Sequence, residues 1–253
     1  MASIERLEEV DAVEHQAWVT MLVNDAFFPG VSCAAASCRA QHPDDARPIL
    51  CLVTPNVSSH TRKRCTDAGL VLQLVEHIRR PPDAGEAHVE GWALADYTKL
   101  HIWSLTRWRK LVYFDADMLF RQPVDDLFCR PGAPCPAAAP DVFPPDRFNA
   151  GLLVVEPSAE EFARVLALVP TLTSYDAGDT GFLNAAYPYW YTMPPAYRLP
   201  FVYNAQRTLH WMTWKYGPRV LAYVRARVFL VRTHVFACVV RPCAERHLAT
   251  GAR

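Results

Sequence analysis

The segment Leu111 to Phe120, LVYFDADMLF, sets two carboxylates one residue apart inside a run that is otherwise apolar or aromatic. Such a run predicts a buried strand, and a buried strand does not accept charge freely. Residues i and i+2 of a strand point to the same side, so Asp115 and Asp117 are expected together at the end of Leu111 to Phe114. Left unpaired in the interior they would cost roughly several kcal/mol or drive one pKa upward; a divalent cation between them removes the conflict. Their hard oxygen donors suit Mg²⁺ or Mn²⁺. A strand that merely ends in an acidic turn matches the same three letters, so the surrounding sequence has to decide.

With 253 residues and 51% hydrophobic content, the chain can bury one large α/β core. Its 26 basic and 26 acidic residues balance, leaving no net field to hold nucleic acid or an anionic membrane, which favours a small-molecule site. The N-terminus, MASIERLEEVDAVEHQ, is acidic and helix-like with no apolar signal core. No window offers the uninterrupted apolar length of a membrane span, so a soluble, cytoplasmic protein is expected. The eight cysteines include no C-x-x-C pair and read as free thiols, with Cys129 and Cys135 bracketing a proline-rich loop as the one disulfide to test.

Ala17 to Val23 reads as a first strand, stopping at Asn24-Asp25, and Gly30 to Gln41 follows at helical density. Ile49 to Thr54 is a second strand, Ser58 an N-cap for a helix through Ala68, and Leu70 to Val75 a third strand. This alternation predicts a parallel-rich sheet, whose ligands bind at the carboxyl ends of the strands, where Asn24-Asp25 and Asp115-Asp117 both fall. Tyr97 to Thr106 predicts a helix with Leu100, Trp103 and Leu105 on its apolar face and Lys99 before it. Phe148 to Glu156 returns to strand pattern, and Ser158 caps a helix to Leu168 with Glu161 placed for a capping box. Asp176 to Tyr187 opens with two acids, either caps or ligand groups, before a short helix. No G-x-G-x-x-G follows the first strand, which argues against a dinucleotide-binding dehydrogenase.

Taken in order and spacing, WVTMLVNDAF, YTKLHIWSLT, LVYFDADMLF, VDDLF, FNAGLLVVEPS, DAGDTGFLN and LPFVYNA resemble the glycogenin-like, galactinol synthase-related members of glycosyltransferase family 8, from about Trp18 to Leu209. The resemblance implies a GT-A fold, a Rossmann-like mixed sheet flanked by helices, over residues 17–217. An N-terminal extension (1–16) would precede it and a divergent basic segment (218–253) would follow. It also implies a nucleotide-sugar donor, usually UDP-linked, Mn²⁺, and transfer with retention of configuration. By position, Met21, Val23, Asn24 and Phe27 match the uridine loop, with Phe27 where an aromatic stacks on uracil, and Lys99 matches the lysine that meets the donor. Asp115 and Asp117 match the metal carboxylates with Ala116 at the ribose, Asn149 and Ala150 the donor-sugar residues, and Asp176, Asp179 and Thr180 the acidic sugar loop. Asp179 and Lys99 are thereby the candidate catalytic groups: a carboxylate beside the oxocarbenium-like sugar, and a cation that stabilises the departing diphosphate.

Three departures from the family pattern bear on function. Thr180 stands where these proteins usually carry glutamine. The position of the self-glucosylated tyrosine falls near Thr213, which argues against self-glucosylation. The expected H-F-x-G-x-x-K-P-W is replaced by His234-Val235-Phe236-Ala237 and Val240-Arg241-Pro242-Cys243. His234 is therefore a candidate third metal ligand with a packed core histidine as the alternative, and Arg241 a candidate phosphate contact. The expectation is a Mn²⁺-dependent hexosyltransferase using UDP-glucose or UDP-galactose on a saccharide, polyol or protein acceptor, with a homodimer compatible. The rival is a catalytically impaired nucleotide-sugar-binding protein.

Overall fold

Trp18, Val19 and Leu22 are fully buried in β1 (Gln16–Leu22), at the middle of the sheet, where the Trp18 indole donates to Asp45 Oδ2 at 2.8 Å. In the computed structural model, residues 15–81, 97–142 and 144–206 are described, with the backbone of 228–230. The proposed N-terminal extension, Thr213, His234, Arg241 and most of the basic C-terminal segment lie outside the described residues.

After β1 come helix α1 (Phe28–Gln41), β2 (Ile49–Val53), α2 (Ser59–Asp67) and β3 (Val71–Leu74). Then follow β4 (Lys110–Phe114), β5 (Met118–Phe120), β6 (Ala137–Pro140), β7 (Phe148–Val155), α3 (Ala159–Leu168), α4 (Asp179–Ala186), β8 (Ala205–Gln206) and β9 (Val228–Leu230). A six-stranded sheet has the order β3-β2-β1-β4-β7-β6, and β5-β9-β8 form a smaller one. β1 runs parallel to both β2 and β4, whereas β7 is antiparallel to β4 and β6, so the sheet is mixed as expected. The strand order reverses at β1 and β4, and a crevice opens at the carboxyl ends of neighbouring strands at such a point. Because β7 is antiparallel, its amino-terminal end reaches that same edge: Asp115 N donates to Gly151 O at 2.9 Å.

Local chemistry sets the helix starts. Pro29 in the first turn of α1, where its fixed φ and missing N–H cost nothing, begins that helix before the expected Gly30. Ser58 caps α2 by accepting from Thr61 N, and Ser158 caps α3 by accepting from Glu161 N. The capping box does not close: Glu161 turns to Arg164 and Tyr187, a stronger charge-assisted partnership than a return bond to its own cap.

Two further expectations are corrected. Tyr97–Ser104 forms a 3₁₀ helix, and it has no exposed polar face around Lys99: Tyr97, Thr98, Lys99, Leu100, Ile102 and Trp103 are all buried. Asp115 and Asp117 are not strand residues either, since β4 ends at Phe114 and a turn closed by Met118 N donating to Asp115 O carries both acids. Cys129 and Cys135 are free, one exposed and the other buried.

Candidate active site

The loop after β1 is tied to the loop after β2. Thr54 Oγ1 donates to Val23 O at 2.7 Å, Asp25 Oδ1 accepts from Ser58 N at 2.9 Å, and Asn24 Oδ1 accepts from Ala26 N at 2.9 Å. The hydroxyl and amide of Ser58 hold the Asp25 carboxyl below its usual pKa. Met21 and Phe27 are half-buried against the core, so the predicted nucleoside loop is braced on both sides. It also meets the acidic turn: a Cβ on Gly30 would stand 2.6 Å from Ala116 O. Only glycine lets the first turn of α1 approach that carbonyl so closely.

At the centre is Lys99, whose side chain is 2% exposed. Its Nζ lies 3.0 Å from Asp115 Oδ1, pairs closely with Asp179 Oδ2, and donates to Ala150 O at 3.0 Å. An ammonium has three protons, and these three acceptors account for them. Burial opposes its charge, but Asp115 and Asp179 outweigh burial and keep it firmly protonated. Lys99 is thus placed behind the carboxylates, bound to protein groups rather than extended toward solvent.

Asp179 reaches this point because α4 is docked on the start of β7. Asn184 of α4 takes both backbone groups of Phe148, accepting from its N at 3.0 Å and donating to its O at 2.8 Å, and Thr180 Oγ1 accepts from Ala150 N at 3.2 Å. Asp176 has the other fate open to it: one of its oxygens accepts from Ser174 Oγ, Gly178 N and Gly181 N, which makes it a buried organiser of the loop that opens α4.

The charges do not balance. Asp115 and Asp179 pair with one ammonium, Asp117 adds a third acid two residues from Asp115, and among the described residues no cation pairs with Asp117. Burial and the Asp115 charge push Asp117 up to about 7. Burial and Asp179 raise Asp115 as well, against the pull of Lys99. Two partly exposed carboxylates held in a turn with raised pKa values are suitable oxygen donors for a hard divalent cation, so the donor set fits Mn²⁺ or Mg²⁺. Among the described residues no group of three or more His, Cys, Asp or Glu side chains completes a metal site.

Two side chains that sequence reasoning did not single out belong here. Tyr113 donates its hydroxyl to Asp115 Oδ1 at 2.7 Å and carries Lys99 over its ring at 4.9 Å; its place two residues before Asp115 was the available signal. Asn204 donates to Asn149 Oδ1 at 2.8 Å, a pairing across 55 positions that no local pattern foretells.

No family model matches the chain. Human glycogenin-1 is 37% identical over 194 residues, which is 75% of this chain and 53% of that protein. A putative UDP-glucuronate:xylan alpha-glucuronosyltransferase 3 of Arabidopsis thaliana is 31% identical over 180 residues, 71% of this chain and 27% of that one. The chain spans about half the length of the glycogenins it matches. A crystal structure of the galactosyltransferase LgtC with donor and acceptor sugar analogues has the same fold, a GT-A fold, with a TM-score of 0.59 at 16% identity, covering 85% of this chain and 86% of the other.

Proposed function

The chain belongs with the glycogenin-like members of glycosyltransferase family 8, and from that premise we propose that it is a retaining hexosyltransferase. It moves a sugar from UDP-glucose or UDP-galactose to a saccharide, polyol or protein acceptor. The single observation that carries this reading is the Lys99 cluster at the carboxyl end of β4, where two carboxylates pair with one buried ammonium and the neighbouring Asp117 has no cation partner among the described residues. Asp115 and Asp117, with His234, outside the described residues, as the proposed third ligand, would hold Mn²⁺, which would neutralise charge on the departing diphosphate.

The protein's own groups divide the remaining work. The braced loop of Met21, Val23, Asn24 and Phe27 receives the nucleoside, with Ala116 beside the ribose. Asn149, Ala150 and Thr180 flank the donor sugar, and Asp176 keeps the loop at the head of α4 in shape. Lys99 holds Asp115 and Asp179 in one geometry through its ion pairs with both, a contribution made before the substrate arrives. Asp179 then faces positive charge as the glycosidic bond breaks, stabilising it through space or attacking the anomeric carbon, in either role from the position its pairing with Lys99 gives it.

Incubation of the protein with UDP-glucose or UDP-galactose and Mn²⁺ is expected to release UDP. Asp115→Ala and Asp117→Ala are each expected to abolish that release. Full release by both variants would remove the metal from the reading.

A further inference from the structure

We infer that Asn204 is a positioning residue that sets which way the Asn149 carboxamide faces, and so presents the Asn149 NH₂ group to the donor sugar. The inference rests on reading the cleft as a UDP-sugar site. Its structural basis is a short chain of hydrogen bonds whose direction is fixed by chemistry. Gly151 N, a backbone donor, lies 2.9 Å from Asn149 Oδ1, so the atom facing it has to be the carbonyl oxygen. Asn204 approaches the same oxygen at 2.8 Å and has to do so with its own NH₂. With both donors on its oxygen, Asn149 turns its nitrogen to the opposite side, and the residue is only partly buried.

Asn204 has no freedom to do otherwise. It is 0% exposed, directly before β8, and its Oδ1 is buried with no hydrogen-bond partner among the described residues. The pair also adjoins the carboxylates. A Cβ on Gly151 would stand 2.9 Å from Asn149 Oδ1 and 3.4 Å from each of Asn204 Nδ2 and Asp115 Oδ2. Gly151 is thus where the amide pair and the acidic turn meet, which places a neutral donor group beside the charged groups without adding to their imbalance.

The test is a double-mutant cycle on the full chain. Asn204→Ala and Asn149→Ala are each expected to raise the KM for the UDP-sugar about tenfold, the worth of one hydrogen bond, while the Kd for UDP alone stays within about twofold. The double variant is expected to be no worse than Asn149→Ala, because one residue acts through the other. Asn204→Asp, of equal size but unable to donate when ionised, should fall with Asn204→Ala. Additive losses, an unchanged KM in Asn204→Ala, or an equal loss of UDP affinity would overturn the inference. A ligand-free readout separates it from the functional reading: the side-chain NH₂ resonances of Asn149 should shift in Asn204→Ala. If the unaltered protein turns over no donor, the functional reading fails, and those resonances decide the inference, an unmoved pair of signals refuting it.

Discussion

The molecule contains two clusters built from the same parts, a cation, a tyrosine and acid, and they differ in one respect. On α3, Arg164 grips Glu161 with Nε at 2.9 Å and a second nitrogen at 2.6 Å; Tyr187 donates to the same carboxylate at 2.6 Å, and the guanidinium lies 4.9 Å over the Tyr187 ring. In the cleft, Lys99 pairs with Asp115, Tyr113 donates to that carboxylate, and the ammonium lies 4.9 Å over the Tyr113 ring. The first cluster has one acid for one cation. Burial raises the Glu161 pKa, but Arg164 and Tyr187 more than reverse that, and it ends below its ordinary value. The second has, among the described residues, three acids for one cation, and Asp115 and Asp117 end above theirs. One cluster is finished by folding; the other is left short of positive charge among the described residues, as the proposed site for a cation and a diphosphate requires. Excess negative charge that does nothing for stability is retained where a ligand completes it.

The largest expected break in this comparison is Lys99→Ala. It leaves Asp115 and Asp179 facing each other unpaired, so UDP release should fall by at least about a hundredfold and stability by about 3–5 kcal/mol, read by activity assay and urea titration. Equal stability would mean that the ammonium is not what holds the acids.

Asp117→Asn should divide function from stability, losing UDP release while raising the stability of metal-free protein by about 1–2 kcal/mol near neutral pH. The sign follows from the raised pKa: the native state favours the protonated carboxyl, so the stabilising contribution of that form is complete below the ordinary carboxyl value and is lost as pH rises to about 7. The gain from asparagine should therefore vanish near pH 4 and be greatest above pH 7, as measured by unfolding midpoints in chelator. A loss of stability at neutral pH would contradict the charge imbalance.

Glu161→Gln should behave in the opposite way and with a smaller effect. It is expected to cost about 1 kcal/mol at neutral pH, limited by the 39% exposure of the Arg164 side chain, and to leave UDP release within about twofold. Here the folded pKa is depressed, so the stability of the native glutamate is present above its ordinary value of 4.5 and is lost as pH falls below it. The variant and the unaltered protein should converge in acid, and parallel stability curves down to low pH would refute the pairing.

The parts of this arrangement that are local were legible in the sequence. The runs that became β1, β2, β4 and β7, the caps Ser58 and Ser158, and the conflict at LVYFDADMLF all depend on near neighbours, and they stand within a residue or two of where they were expected. What the sequence did not disclose are pairings that exist only after the sheet is assembled. Lys99 looked like a residue on the rim of an amphipathic helix, yet the sheet brings Asp115 and Asp179 to it from either side and encloses it. Glu161 stood at the right distance for a capping box, and a partner 26 residues away took it. The split between Asp176 and Asp179 was equally hidden, because both open the same loop and only tertiary position makes one an organiser and the other a member of the cluster.

The close approach of Gly30 to Ala116 carries a consequence for how a ligand is received. The first turn of α1 continues the loop after β1, and its backbone lies against the turn that holds both acids, with no side chain between them. Backbone therefore meets backbone where these two walls of the cleft join, so this side of the proposed nucleotide site is set by folding rather than by binding. Whatever adjustment the protein makes on binding has to come from elsewhere around the cleft, because these two walls have no room to close further.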